Sequence, residues 1–263
     1  MTDIIQAGRY GGLRESHEPR LLAHNFLASG VTPIAGYLEF DHTYKIGANS
    51  WGMDNNGPDK TNPPGFPNGL GDCGFAALDH YNVAKTGETS LIGSFGSPKY
   101  SSLAAAYFAY GVAQGEPGPE PDQGVSNATV LAWAVQEGLI YGYAEVQPEY
   151  LDWFASKFDG ALLGLAIDGN VASSDFNNWP TRRPWNTMAK LDGHDTLYVK
   201  SRGQGQGTLV TWGGLQPFTK SFRETNVTDS WVIFDQYDSR VNWPLLEAAL
   251  TAVHGTIVPP VTI

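Results

Sequence analysis

"GFPNGLGDCGFAALDHYNVAKTGE" spans Gly65–Glu88 and holds Cys73, the single cysteine among 263 residues. Before it the chain is dense in Gly, Pro and Asn. After it the apolar residues Ala77, Leu78, Tyr81 and Ala84 recur at helical spacing, and Gly87 stands where a helix would stop. Asp72 is a good N-cap for that helix, which puts Cys73 in its first turn. Unpaired amide N–H groups and the helix dipole favour a negative charge there by roughly 0.3–1 kcal/mol. The thiolate is the reactive form of cysteine, and helix N-termini pull a thiol below its usual pKa of ~8.5. A free cysteine is equally at home as a small buried apolar residue, so position alone leaves both readings open.

A nucleophilic cysteine needs a base, normally a histidine delivered by the fold rather than by sequence proximity. The best placed is His194 in "KLDGHDTLYVK", behind a glycine at the start of a strand-like run. His80 follows Cys73 by two helical turns and reads as a core or supporting residue. His17, His24, His42 and His254 lie outside the segments that carry the chemistry.

Composition narrows the classes. An apolar fraction of 41% and a charged fraction of 16% fit a globular protein with a large core. The formal charge of −11 and the absence of a basic run argue against a nucleic-acid surface. No apolar run reaches the ~18 residues of a membrane span. "MTDIIQAGRYGG" lacks the basic start and apolar core of a secretory signal, so none is expected. The histidines show no ligand-like pair spacing and one cysteine cannot build a thiolate metal site, so no metal and no cofactor are expected. "MDNNGPDKTNPPGFPNG" (53–69) reads as an extended loop; its Asp and Asn side chains suit a cation, but it lacks the Gly and Glu of a standard calcium loop.

Helical patterns come first. "SSLAAAYFAYGVAQG" (101–115), "SNATVLAWAVQEG" (126–138) with a Ser cap, and "EYLDWFASKF" (149–158) follow the cysteine helix. Strands come next: "ALLGLAI" (161–167), "HDTLYVK" (194–200), "GTLVTW" (207–212) and "SWVIFDQ" (230–236). The glycine run "SRGQGQG" joins two of them as a hairpin, and no helix follows it to make a phosphate cradle. "GYLEFDHTYKI" (36–46) suggests one earlier strand, and "WPLLEAALTAVHG" (243–255) closes the chain as a helix. Helices followed by strands predict an α+β fold. We expect an N-terminal extension over 1–60 and a single domain over 61–263.

Cysteine on a helix, further helices, then histidine at a strand start and a strand ending in "TWGG" resembles the papain-like cysteine peptidases. "DCGFAAL" (72–78) is most similar to the bacteriocin-processing, peptidase C39-like branch, and "GHDTLYV" and "LVTWGG" match its histidine strand and the strand after it. The pattern also resembles papain-like proteins of bacteriophages and actinobacteria. The resemblance covers about Pro64 to Asp235. It implies Cys73 as nucleophile and His194 as general base, later acid.

The family holds the oxyanion with a glutamine about six residues before the cysteine; here Pro67 stands there, and Asn68 is the only nearby amide. The residue that orients the histidine would fall at Val210, which cannot do so; Thr211 can accept a hydrogen bond, and Asp195, Asp235 or Asp238 are substitutes from nearby. The resemblance therefore implies a peptidase or amidase acting on a peptide or peptidoglycan amide. It also implies a component of a bacteriophage virion, either carrying that hydrolysis or, alternatively, an inactive structural, decoration or adhesion protein, with the N-terminal arm docking on neighbouring subunits. A carbohydrate-binding surface would rest on Trp179, Trp185 and Trp243, which read more readily as core.

Overall fold

The computed structural model describes residues 21–43, 70–87, 103–116, 118, 122–167, 192–211, 213–234 and 237–255. The 53–69 loop with its suggested cation and Asn68 lies outside them, as do His17, Trp179, Trp185, Trp212 and Asp235. Among the described residues, helices α1 (Cys73–Thr86), α2 (Leu103–Ala113), α3 (Asn127–Gln136) and α4 (Leu151–Lys157) form the first half, interrupted by the short strand β2 (Gly142–Glu145). Strands β3 (Ala161–Ile167), β4 (Asp192–Arg202), β5 (Gly207–Thr211), β6 (Gly214–Phe218) and β7 (Val227–Phe234) follow, with α5 (Lys220–Asn226) before β7 and α6 (Trp243–His254) after it. The fold is α+β. No helix among the described residues is long and apolar enough to cross a membrane.

The strands pair antiparallel in the order β2-β7-β3-β4-β5-β6. β3 is buried on both faces, which its unbroken apolar run requires. The β4–β5 hairpin turns through Gly203 (φ 73°), Gln204 (φ 53°) and Gly205 (φ 81°), with Arg202 N–H closing onto the Gln206 carbonyl at 3.0 Å. Left-handed backbone at successive positions is what the glycine run is for.

Helix α1 is the centre of the molecule. Every residue from Cys73 to Ala84 is buried, against β4 on one side and α2 and α3 on the other. Phe75 anchors the helical side, its ring 5.7 Å from Tyr107, 5.7 Å from Tyr110 and 4.9 Å from Trp133. Gly87 ends the helix at φ 77°, its N–H bonded to the Val83 carbonyl. At the other end the expected cap is absent: Asp72 holds the position, but its side chain takes no first-turn amide. Its backbone sits at φ −93°, ψ 17°, away from the extended conformation that folds a capping side chain over the amides.

Residues 21–43 pack on this body. A 3-10 turn over Ala23–Phe26 is flanked by bridges from Leu22 to Glu145 and from Leu27 to Val241. Strand β1 (Glu39–Asp41) pairs with Lys200–Arg202 of β4, continuing the edge where β3 stops at Tyr198. His42 donates from its backbone N–H to the Val199 carbonyl and from Nε2 to the Ala155 carbonyl. The knot beneath them is Asp152, fully buried on α4. Its carboxylate accepts from Leu38 N–H (3.0 Å), Tyr198 OH (3.0 Å), Ser201 OH (3.2 Å) and Arg223 Nη1 (2.6 Å). A buried ion pair survives desolvation when its remaining lone pairs are satisfied in this way.

Candidate active site

The bend that delivers Cys73 is made by close approach. Gly71 N–H donates to Asp122 Oδ1 at 2.6 Å, and a Cβ on Gly71 would lie 2.9 Å from that oxygen and 3.0 Å from Gly124 Cα. Tyr107 of α2 donates its hydroxyl to the same oxygen (2.9 Å) and accepts from Gly124 N–H (2.9 Å). Burial, and after it the Asp122 charge, push the Tyr107 phenol well above its ordinary value, so it stays a donor. Gly74 does the same service one turn on. A Cβ there would meet Val130 at 3.0 Å, Val125 at 3.1 Å and Asp195 Oδ2 at 3.2 Å. The glycine of "DCG" therefore lets the start of α1 press against β4 and α3.

Pressed there, the Cys73 sulfur touches β4. Asp195 donates its backbone N–H to Sγ at 3.3 Å, and the thiol donates to Asp195 Oδ2 at 3.8 Å. His194, the preceding residue on β4, pairs with Leu165 of β3. Its Nε2 hydrogen-bonds Thr211 Oγ1 at 2.6 Å, diagonally across the β4–β5 ladder. With Nε2 committed to Thr211, proton exchange with a thiol falls to Nδ1. Cys73, His194 and Thr211 are all buried.

A second imidazole lies under the first. His80, two turns along α1, is fully buried, and neither ring nitrogen has a hydrogen-bond partner among the described residues. Burial, and then the nearby His194, push it down to about 3, so His80 is neutral throughout the working range of a thiol.

Of the substitutes for an orienting group, Asp195 faces the sulfur instead of the far side of the histidine ring. Asp238 is taken by Arg240, whose Nη2 lies 2.5 Å from it. The hydroxyl of Thr211 occupies the place behind His194. Trp243 belongs to an aromatic cluster with Phe234, Tyr141 and Tyr237, its indole N–H bonded to the Asp238 carbonyl. The roles of Asp122 and Tyr107 were not legible beforehand: they act across 15 to 51 residues and have no local signature.

Xylellain, a cysteine protease from Xylella fastidiosa, superposes over 90% of this chain and 99% of its own with a TM-score of 0.58 at 12% identity. The fold is papain-like. The cysteine protease and lectin-like domains of Cwp84, a surface layer associated protein of Clostridium difficile, align over 79% of this chain and 55% of theirs, with a TM-score of 0.42 at 11% identity. No protein-family model matches the chain, and no curated protein sequence does. In this papain-like body Cys73 begins the central helix and His194 sits on a strand of the sheet.

Proposed function

We propose that the protein is a papain-like cysteine peptidase or amidase. Cys73 is the nucleophile, His194 the general base and later acid, and Thr211 the group that holds the imidazole. The single observation that supports this is the convergence of a helix-start thiol on the residue next to a histidine whose other nitrogen is backed by a hydroxyl. In the reaction Sγ attacks the carbonyl carbon of the amide as its proton passes to His194. The tetrahedral oxyanion is held by the Cys73 backbone N–H, with Asn68 the second donor that the family resemblance implies. His194 protonates the leaving amine, the C–N bond breaks, and a thioester remains. Water, deprotonated by His194, then hydrolyses the thioester and frees the thiol.

The test is hydrolysis of peptide and peptidoglycan-fragment libraries by the wild type, Cys73→Ala and His194→Ala. Loss of about 10³-fold or more in either variant supports the reading; cleavage that survives Cys73→Ala overturns it.

A second reading is favoured by the burial of the thiol against a carboxylate: a papain-like body kept as a structural, decoration or adhesion component with no turnover. The likeness of "DCGFAAL" and "GHDTLYV" supports the finer assignment to a C39-like branch, and that of "VLAWAVQEGL", "DGHDTLYVK" and "LVTWGGLQPFT" the placement in a bacteriophage particle. There the chain would assemble with other virion subunits through its N-terminal arm. Peptide mass spectrometry of purified particles checks that placement, and a chain found only outside them contradicts it.

A further inference from the structure

We propose, on the reading of Cys73 as nucleophile, that Asp195 holds the resting thiol in its protonated form and so sets the pH at which Cys73 becomes reactive. Two opposed influences come from one residue. The Asp195 backbone N–H points at Sγ from 3.3 Å and fixes where the sulfur lies. The Asp195 carboxylate, only 5% exposed, accepts the S–H from 3.8 Å and disfavours a second negative charge beside it. The contact is built in rather than incidental: Oδ2 is also packed against Gly74, where any Cβ would come within 3.2 Å of it.

The other titratable groups around the sulfur do not reverse this. On α1 itself stand Asp72 before it, and Asp79 and His80 further along, His80 being neutral. From the 122–125 loop comes Asp122, engaged by Gly71 and Tyr107. From β4 comes His194, and beyond Gly164, the β3 partner of Asp195, stands Asp229. Strands β3 and β5 and helix α3 carry no titratable side chain. On this proposal the resting thiol keeps its proton beside Asp195, and that proton passes from Sγ to His194 at the moment of attack. Asp195 is a positioning residue: it acts through the sulfur and touches no reacting carbonyl.

Because the chain has one cysteine, thiolate absorbance in the far ultraviolet reports Cys73 alone once the Cys73→Ser curve is subtracted. The comparison is the native protein against Asp195→Asn, which keeps shape and removes charge. We expect the thiol midpoint of the Asn variant to fall by about one pH unit, roughly tenfold more thiolate at a given pH. An unchanged or higher midpoint overturns the proposal, since a residue that merely packs would not move it. If the variant shows no cooperative melt, the native curve decides alone: a midpoint at or above the ~8.5 of a free thiol supports the proposal, and one well below it overturns it. The titration needs no substrate, so its outcome stands apart from the loss of hydrolysis that tests Cys73 as nucleophile.

Discussion

At the residue scale the site depends on atoms that are small or short. Thr211→Val keeps the volume behind His194 but removes the oxygen 2.6 Å from Nε2. A buried ring nitrogen left without that partner costs about 1–3 kcal/mol. On the proposed mechanism this predicts a fall in kcat/KM of about tenfold or more with KM little changed, and Thr211→Ser recovering most of it, read from initial rates at fixed pH. Gly74→Ala asks for room that Val130 and Val125 occupy, and branched core side chains cannot swing away as a flexible tip would. Overpacking of about 1–3 kcal/mol outweighs the helix preference of up to ~1 kcal/mol for alanine. Urea denaturation should show the variant less stable with m unchanged.

At the scale of elements, the start of α1 is positioned by a bridge from α2 rather than by its own cap. Tyr107 ties Asp122, which holds Gly71, to the backbone of Gly124. Tyr107→Phe keeps the ring packed on Phe75 at 5.7 Å yet leaves the buried Gly124 N–H unpaired. The expected cost is about 1–3 kcal/mol in thermal or urea unfolding, accompanied by a change in Cys73 alkylation rate because the Gly71–Cys73 bend loosens. An alkylation rate identical to the wild type would show that the bend stands without the bridge.

At the scale of the whole molecule, Asp152 joins the 21–43 segment, α4, β4 and α5 at one buried point. Asp152→Ala strands the Arg223 guanidinium, itself only 7% exposed, and loss of one partner of a buried pair costs about 3–5 kcal/mol. The same variant releases Leu38 N–H, so limited proteolysis should cut within 21–43 first. Acid acts on the whole molecule through His80. Its folded value of about 3 lies below the ordinary 6.5, so the folded state binds fewer protons between those limits. His80 therefore contributes stability that is full above pH ~6.5 and is lost as pH falls towards 3, at up to ~1.4 kcal/mol per pH unit. Carboxyls such as Asp238, which the Arg240 hydrogen bond holds below the usual range, add their loss only under pH ~4. Denaturation midpoints between pH 7 and 4 should slope downward in the wild type and flatten in His80→Leu.

The helix begun by Cys73, its stop at Gly87, the buried run of β3 and the glycine hairpin were legible because each is a local pattern whose period or turn chemistry needs no distant partner. The α+β class followed from their order. Short elements escaped: β2 offers four residues, β6 carries a proline at Pro217, and α5 is two turns that strand pairing surrounds. Their stability comes from neighbours, and periodicity cannot register that. Tertiary structure alone decided which acid meets which base. Asp195 follows His194 directly, and only the packed sheet decided that the Asp195 carboxylate meets the sulfur while His194 Nε2 meets Thr211. The sequence by itself determined that one thiol and one strand-start histidine were available; only packing α1 against β4, through Gly71 and Gly74, decided that a carboxylate would stand beside the sulfur.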